Sequence, residues 1–414
     1  MRPPARRGAR LLSGAGLAAA LLLPAAAPAG AAAPAAPAAD GKSQELPAMP
    51  SALDPDAEQT ACVPASKETA KKQDWSRQRL DLDRMHRHST GAGVTVALID
   101  TGVAPGAAGL DGRVTAQGDA DDDCVGHGTF LAGLIAGTGG AGPRLAGVAP
   151  DAKILALRGT DRLGKASAGL VATALREATA AHADVIAVGV ALTGRDKDVT
   201  RAVAEARAAG AVVVAAATPD PPASGADEVP ARTYWPAGEP GVLSVAGMLP
   251  SGARPDNSPA TDGIDLAAPG AGVVSGGPRG TGHYLGSGAS VAAAYAAGAA
   301  AAVRAVRPDD SADAVTRRLT ATAYPADIPQ LDPYAAVTTV LGGSGSGAAA
   351  GAGHAADPVT VRDTSGADRA TGRATLFVLF GSAAVLAALW AGFALSRARA
   401  RGWRPAQADA AGSD

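Results

Sequence analysis

Val94-Thr95-Val96-Ala97-Leu98-Ile99-Asp100-Thr101-Gly102-Val103 is a short apolar run, rich in β-branched residues, that ends on a carboxylate and a glycine turn. Its length and composition predict a buried strand over 94–99, with Asp100 where that strand emerges. Runs of the same kind recur at 154–157, 185–190, 212–214 and 242–245, and Ala-rich helical stretches fall at 166–181, 198–209 and 291–306. Strands alternating with helices predict an α/β fold, a mainly parallel sheet with helices on both faces. In such a fold, reactive side chains belong at the carboxyl ends of strands and the amino ends of helices.

Two further turns share the chemistry of the Asp100 segment. His127 lies between Gly126 and Gly128, ahead of an apolar helical run. Ser290 follows Gly288-Ala289 and opens a helix of small residues. A serine nucleophile needs a base beside it and a carboxylate to orient that base, and Asp100, His127 and Ser290 are those three types. Each also has a bland reading: a turn-capping Asp, a structural His, and a Ser that caps a helix. At a helix amino terminus the backbone N–H of Ser290 also suits a developing oxyanion.

The composition narrows the class. Of the 414 residues 47% are hydrophobic and 3% aromatic, so the core is built from Ala, Val and Leu, and the net charge of −2 offers no basic field for nucleic acid. Cys62 and Cys124 are the sole cysteines. In an oxidising exterior such a pair is read as a disulfide, and otherwise as two buried thiols. The five other histidines show no metal spacing, and no cofactor or metal is expected. The Asp119, Asp121, Asp122, Asp123 cluster is either a solvated acidic loop or a calcium site.

The ends of the chain carry their own signals. Arg2, Arg6, Arg7 and Arg10 precede an apolar stretch and then small residues, which predicts a signal peptide over 1–33. An Ala/Pro-rich extension, 34–61, is expected to be a flexible lead-in to a folded domain at 62–341. A Gly/Ser/Ala-rich linker at 342–372 leads to an uncharged apolar segment, 374–395, that spans roughly 33 Å as a helix. Arg397, Arg399, Arg401 and Arg404 then place the tail, 396–414, in the cytoplasm and the folded domain outside. The alternative for 374–395 is a buried core helix.

Through these segments the chain resembles the subtilisin-like serine proteases, whose order is Asp, His, Ser on an α/β sheet. The likeness covers roughly residues 75–340. It rests on the Asp100 and His127 motifs, on Gly147-Val148-Ala149-Pro150-Asp151-Ala152-Lys153 and on Leu266-Ala267-Ala268-Pro269-Gly270. Within that family it is similar to the mycosins, membrane-anchored proteases associated with type VII secretion, through Cys62, Trp75, the Cys124-Val125-Gly126-His127 spacing, the tether and the anchor. The resemblance implies that Asp100 orients the imidazole, His127 acts as base and then acid, and Ser290 attacks a peptide carbonyl. It also implies a polypeptide substrate and a type VII secretion complex as partner.

The chain departs from the family at several points. Ala289 and Ala294 replace the usual Thr and Pro around the serine, changes a helix accommodates. Ala187, Gly189 and Ala191 stand where Asn, Ser and Gly are common in a strand that helps line the specificity pocket. Where the family run after 212–214 ends in Gly-Asn, whose Asn donates to the oxyanion, this chain has Thr218-Pro219 before Asp220. Losing that donor costs about 2.7–4 kcal/mol, a magnitude that comes from subtilisin itself. Two expectations follow: Thr218 supplies a hydroxyl donor, or the Ser290 N–H works alone and slowly. The alternative function is a weak or inactive subtilisin-fold scaffold that steadies the secretion complex.

Overall fold

The computed structural model describes residues 46–54, 61–139, 145–221, 229–256, 258–341 and 365–402. The expected signal (1–33), the linker as far as 364 and the tail beyond 402 lie outside the described residues. By its contacts the chain divides into two compact units, Met1–Leu341 and Gly342–Asp414.

The first unit opens with two short helices, α1 (Trp75–Arg79) and α2 (Leu82–Met85), followed by β1 (Thr95–Asp100), β2 (Val114–Ala116) and α3 (His127–Ala136). Strands and helices then alternate through β3 (Lys153–Arg158), α4 (Ala168–Ala180), β4 (Val185–Val188), α5 (Lys197–Ala208) and β5 (Val212–Ala216). Next come β6 (Leu243–Met248), β7 (Leu266–Pro269), the antiparallel pair β8 (Val273–Gly276) and β9 (His283–Gly286), and the helices α6 (Ala289–Val306), α7 (Ala312–Ala321) and α8 (Pro333–Thr338).

The main sheet has seven strands in the order β2-β3-β1-β4-β5-β6-β7, every pair parallel. β1 is central, with Val96 opposite both Ile154 and Val185. Its residues alternate between two cores: Val96 and Leu98 join the one built with α3 and α6, and Ala97 and Ile99 the one built with α4 and α5. A strand covered on both faces has no polar side, which is why its sequence is apolar throughout.

α6 is buried from Ala289 to Val303 and packs along β4 to β7. Alanine serves twice here, as the strongest helix former and as a side chain short enough to bring a helix close to a sheet. α4 and α5 begin on side-chain caps, Ser167 accepting from Leu170 N–H and Asp196 from Asp198 N–H and Val199 N–H.

Part of the expected flexible lead-in is instead laid on the domain. Met49 N–H donates to Leu285 O at 2.7 Å, Leu285 N–H to Pro47 O at 2.8 Å, and Leu53 N–H to Leu163 O at 2.8 Å. Residues 46–54 therefore form a strap tied to the domain through the backbone of Pro47, Met49 and Leu53, pairing that composition alone does not reveal.

A buried ion pair ties α1 to the rest. The Arg77 guanidinium meets Asp74 at 3.0 Å and donates to Ala146 O, Val274 O and Leu145 O. Asp74 also accepts from Ser76 Oγ and Val274 N–H. Burial pushes the Tyr295 hydroxyl up to about 12. It thus stays protonated and lies 2.5 Å from Ser76 Oγ.

The second unit contains α9 (Ser365–Ala400). Its stretch Phe380–Ala400 is long and apolar enough to cross a membrane, and overlaps the expected span. α6 meets the same length and composition test, but is a buried core helix.

Candidate active site

Three elements bring Asp100, His127 and Ser290 together. β1 ends on Asp100, α3 begins at His127, and α6 presents Ser290 in its first turn. His127 Nδ1 donates to Asp100 Oδ1 at 2.8 Å, and Ser290 Oγ lies 3.1 Å from His127 Nε2. Asp100 Oδ1 also accepts from Thr101 N–H, whereas its Oδ2 is buried without a partner. Gly189 explains the room for that oxygen, because a Cβ at 189 would overlap Asp100 Oδ2.

Beneath this trio, Asp123 is a buried hub. Its Oδ1 accepts from Thr101 Oγ1 and Gly126 N–H, and its Oδ2 from Thr129 N–H and Thr129 Oγ1. Thr101 Oγ1 in turn accepts from Gly128 N–H. One carboxylate thus fastens the end of β1 to the start of α3, fixing where the imidazole meets Asp100. Burial pushes the Asp123 carboxyl up, opposed by those same hydrogen bonds.

Two more members of the acidic cluster are engaged within the protein. Asp119 pairs with Arg158 and Asp122 with Arg162. Among the described residues no three His, Cys, Asp or Glu side chains gather as a metal site. Cys62 and Cys124 are joined in a disulfide, and Val63 N–H donates to Cys124 O, so the segment entering the domain is held beside the turn that leads into His127 and α3.

Thr218, expected as an oxyanion donor, is buried, and the side chain that reaches the serine is that of Asp220. Ser290 N–H donates to Asp220 Oδ1 at 3.0 Å, Ser290 Oγ–H donates to Asp220 Oδ2, and that oxygen lies 3.0 Å from His127 Nε2. Pro219 has no N–H and restricts the residue before it, so the turn delivers the side chain two positions beyond Thr218. Sequence reasoning missed Asp220, although it is the shape-mate of asparagine within the same turn.

The site opens onto a cleft of about 1650 Å³, walled by the 46–54 strap, by Val63 to Glu68, and by Phe130 and Tyr284. His127 and Asp220 line it. Ser290 does not: it is fully buried, with Asp220 between its hydroxyl and the cleft.

Burial pulls the His127 imidazole down, but Asp100 and then Asp220 outweigh it and hold its pKa well above the usual 6.5. Folding therefore favours the imidazolium. The stability this confers is complete below about pH 6.5 and is lost as pH rises through the raised folded value. In urea unfolding, the stability difference between wild type and His127→Gln is expected to shrink from pH 6 to pH 9. A difference constant across that range means that the folded imidazole is neutral.

The family model described as Peptidase S8, the subtilase family, matches residues 91–365. Mycosin-3 of Mycobacterium tuberculosis (strain ATCC 25618 / H37Rv) is 30% identical over 386 residues, covering 76% of this chain and 83% of its own length. Mycosin-1 of the same organism is 33% identical over 306 residues, covering 60% and 68%. Among solved structures, the serine protease MycP1, described as an essential component of the type VII (ESX-1) secretion system, aligns with a TM-score of 0.58 at 29% identity, over 72% of this chain and all of that one. The MycP3 protease from the type VII (ESX-3) secretion system aligns with a TM-score of 0.57 at 29% identity, over 71% and 97%.

Proposed function

Because this chain belongs to the subtilase family of serine proteases and is related to the mycosins, we propose that it is an exported, membrane-anchored endopeptidase acting through Asp100, His127 and Ser290. One observation carries the reading: Asp100, His127 and Ser290, far apart in sequence, form one line of hydrogen bonds at the carboxyl end of the sheet. In the first step the Ser290 Oγ–H proton passes to His127 Nε2 as Oγ bonds to the scissile carbonyl carbon. The carbonyl electron pair moves onto oxygen. Collapse breaks the C–N bond, and the departing amine takes the proton from Nε2. Asp100 accepts from Nδ1–H throughout, holding the tautomer and stabilising the imidazolium. Water then repeats the sequence on the acyl-enzyme.

The ends of the chain complete the proposal. Residues 1–33 direct export, 342–372 tether the catalytic domain, 374–395 cross the bilayer, and 396–414 stay in the cytoplasm. The substrate is a polypeptide outside the cell membrane, and the partner is a type VII secretion complex, by likeness to the mycosins. The test is labelling with a fluorophosphonate, which phosphonylates an activated serine. Wild type is expected to label and Ser290→Ala to remain unlabelled; equal labelling of both removes Ser290 as nucleophile.

Asp220 favours a second reading, a weakly active protein that chiefly steadies the secretion complex, because it covers the serine. Restoring a deletion strain with Ser290→Ala separates the two. Full recovery of secretion supports the scaffold, and failure supports catalysis.

A further inference from the structure

The carboxyl of Asp220 fills the place where a substrate oxyanion would sit. It accepts from the Ser290 backbone N–H, which points at that seat, and from the Ser290 hydroxyl, and it touches His127 Nε2. It also packs onto the helix entry so closely that a Cβ on Gly288 would overlap its Oδ1. As a carboxylate this group works against the reaction in three ways. It occupies the seat, it takes the hydroxyl proton that Nε2 needs, and it sets a negative charge beside a developing one. As a carboxylic acid it has one O–H to give. We propose that Asp220 is a catalytic residue of this chain: ionised, it plugs the oxyanion seat; protonated, it withdraws from Ser290 and donates its O–H to the substrate's oxyanion.

The inference rests on Ser290 being the nucleophile. Its proton inventory is closed. In the resting site one proton sits on His127 Nε2, facing ionised Asp220, and the neighbouring Nδ1–H faces Asp100. Transfer of that Nε2 proton to Asp220 Oδ2, 3.0 Å away, makes both groups neutral without any exchange with solvent. The imidazole is then a base and Asp220 a donor. Ser290 gives its proton to Nε2 as Oγ bonds to carbon, and Asp220 keeps its proton while its O–H bonds to the oxyanion.

Activity therefore needs the His127 and Asp220 pair to hold one proton beyond the Nδ1–H. With two the base is gone, and with none the donor is gone and the seat is charged. The groups facing Asp220 are His127 from α3, with Asp100 of β1 behind it, and Ser290 from α6. Along the same cleft lie Asp54, Lys67, Glu68, Tyr234 and Tyr284. Asp227 and Glu228 lie outside the described residues.

The test compares the second-order rate of fluorophosphonate labelling from pH 5 to pH 10 in wild type, Asp220→Asn, Asp220→Ala and Ser290→Ala of the full chain. Wild type is expected to give a bell that falls on the alkaline side. Asp220→Asn supplies a donor with no charge, so its rate climbs with pH to a plateau about 10²–10³ times the wild-type rate at pH 9. Asp220→Ala removes the plug without supplying a donor: it loses the alkaline fall but stays well below Asp220→Asn. A wild-type profile without the alkaline fall, or an Asp220→Asn rate no higher than wild type at pH 9, overturns the role of Asp220 while Ser290-dependent labelling stands. Labelling that persists in Ser290→Ala, or no labelling of wild type and both Asp220 variants at any pH, overturns the protease reading and this inference with it.

Discussion

Replacing His127 with alanine is expected to lower kcat by about 10³–10⁴-fold in the wild-type background and by about 10⁶-fold in the Asp220→Asn background. In subtilisin, loss of the histidine alone costs as much as loss of the whole triad, about 2 × 10⁶, because the three groups act as a unit. With Asp220 acting as proposed, the wild type works without a permanent oxyanion donor and starts about 10²–10³-fold lower, which leaves less to lose. The two substitutions are thus expected to be non-additive in a stated direction. Steady-state cleavage of an unstructured protein such as casein by the four combinations measures it. A fall of less than tenfold on removing His127 in both backgrounds would mean that the base lies elsewhere.

Arg77→Ala is expected to destabilise the first unit by about 3–5 kcal/mol, the range for removing one partner of a buried ion pair. At roughly 2–4 °C per kcal/mol, the Tm falls by about 10 °C. The cause is specific. Asp74 is left as a buried carboxylate, and the carbonyls of Ala146, Val274 and Leu145 lose their donor. Arg77→Lys keeps the charge without the fork of donors and is expected to recover only part of the loss. Calorimetry of the three proteins at one pH gives the comparison. A shift under 2 °C for Arg77→Ala would show that water or a shifted neighbour satisfies those groups.

The elements that were legible are those whose physics is local. β1 and β3 to β6 could be read because a strand buried on both faces must be apolar throughout, and α4, α5 and α6 because their Ala-rich stretches lie between those strands. β2, β7, β8 and β9 each hold at most two β-branched or leucine residues, Val-Thr-Ala in β2 and Leu-Ala-Ala-Pro in β7 among them, so they left no apolar run to read. Asp100, His127 and Ser290 stood out because each lies beside glycine or small residues at the end of a regular element, where backbone must approach closely. Asp123 was seen only as one of four acidic residues, because its partners Thr101, Gly126 and Thr129 become partners only after β1 meets α3.

By itself, the sequence determined the class of fold, the order and identity of the three residues proposed for catalysis, and the apolar segment near the carboxyl end, since each follows from residue type and spacing along one stretch of chain. The tertiary structure decided which side chain meets Ser290 and His127. Asp220 is held there by a backbone N–H and a hydroxyl 70 positions away and an imidazole 93 positions away, and no local pattern encodes donors that converge from separate elements. The same holds for Arg77, whose carbonyl partners lie 68, 69 and 197 positions distant. A buried polar group must be satisfied wherever the fold puts it, and only the fold determines which partners are near enough to do so.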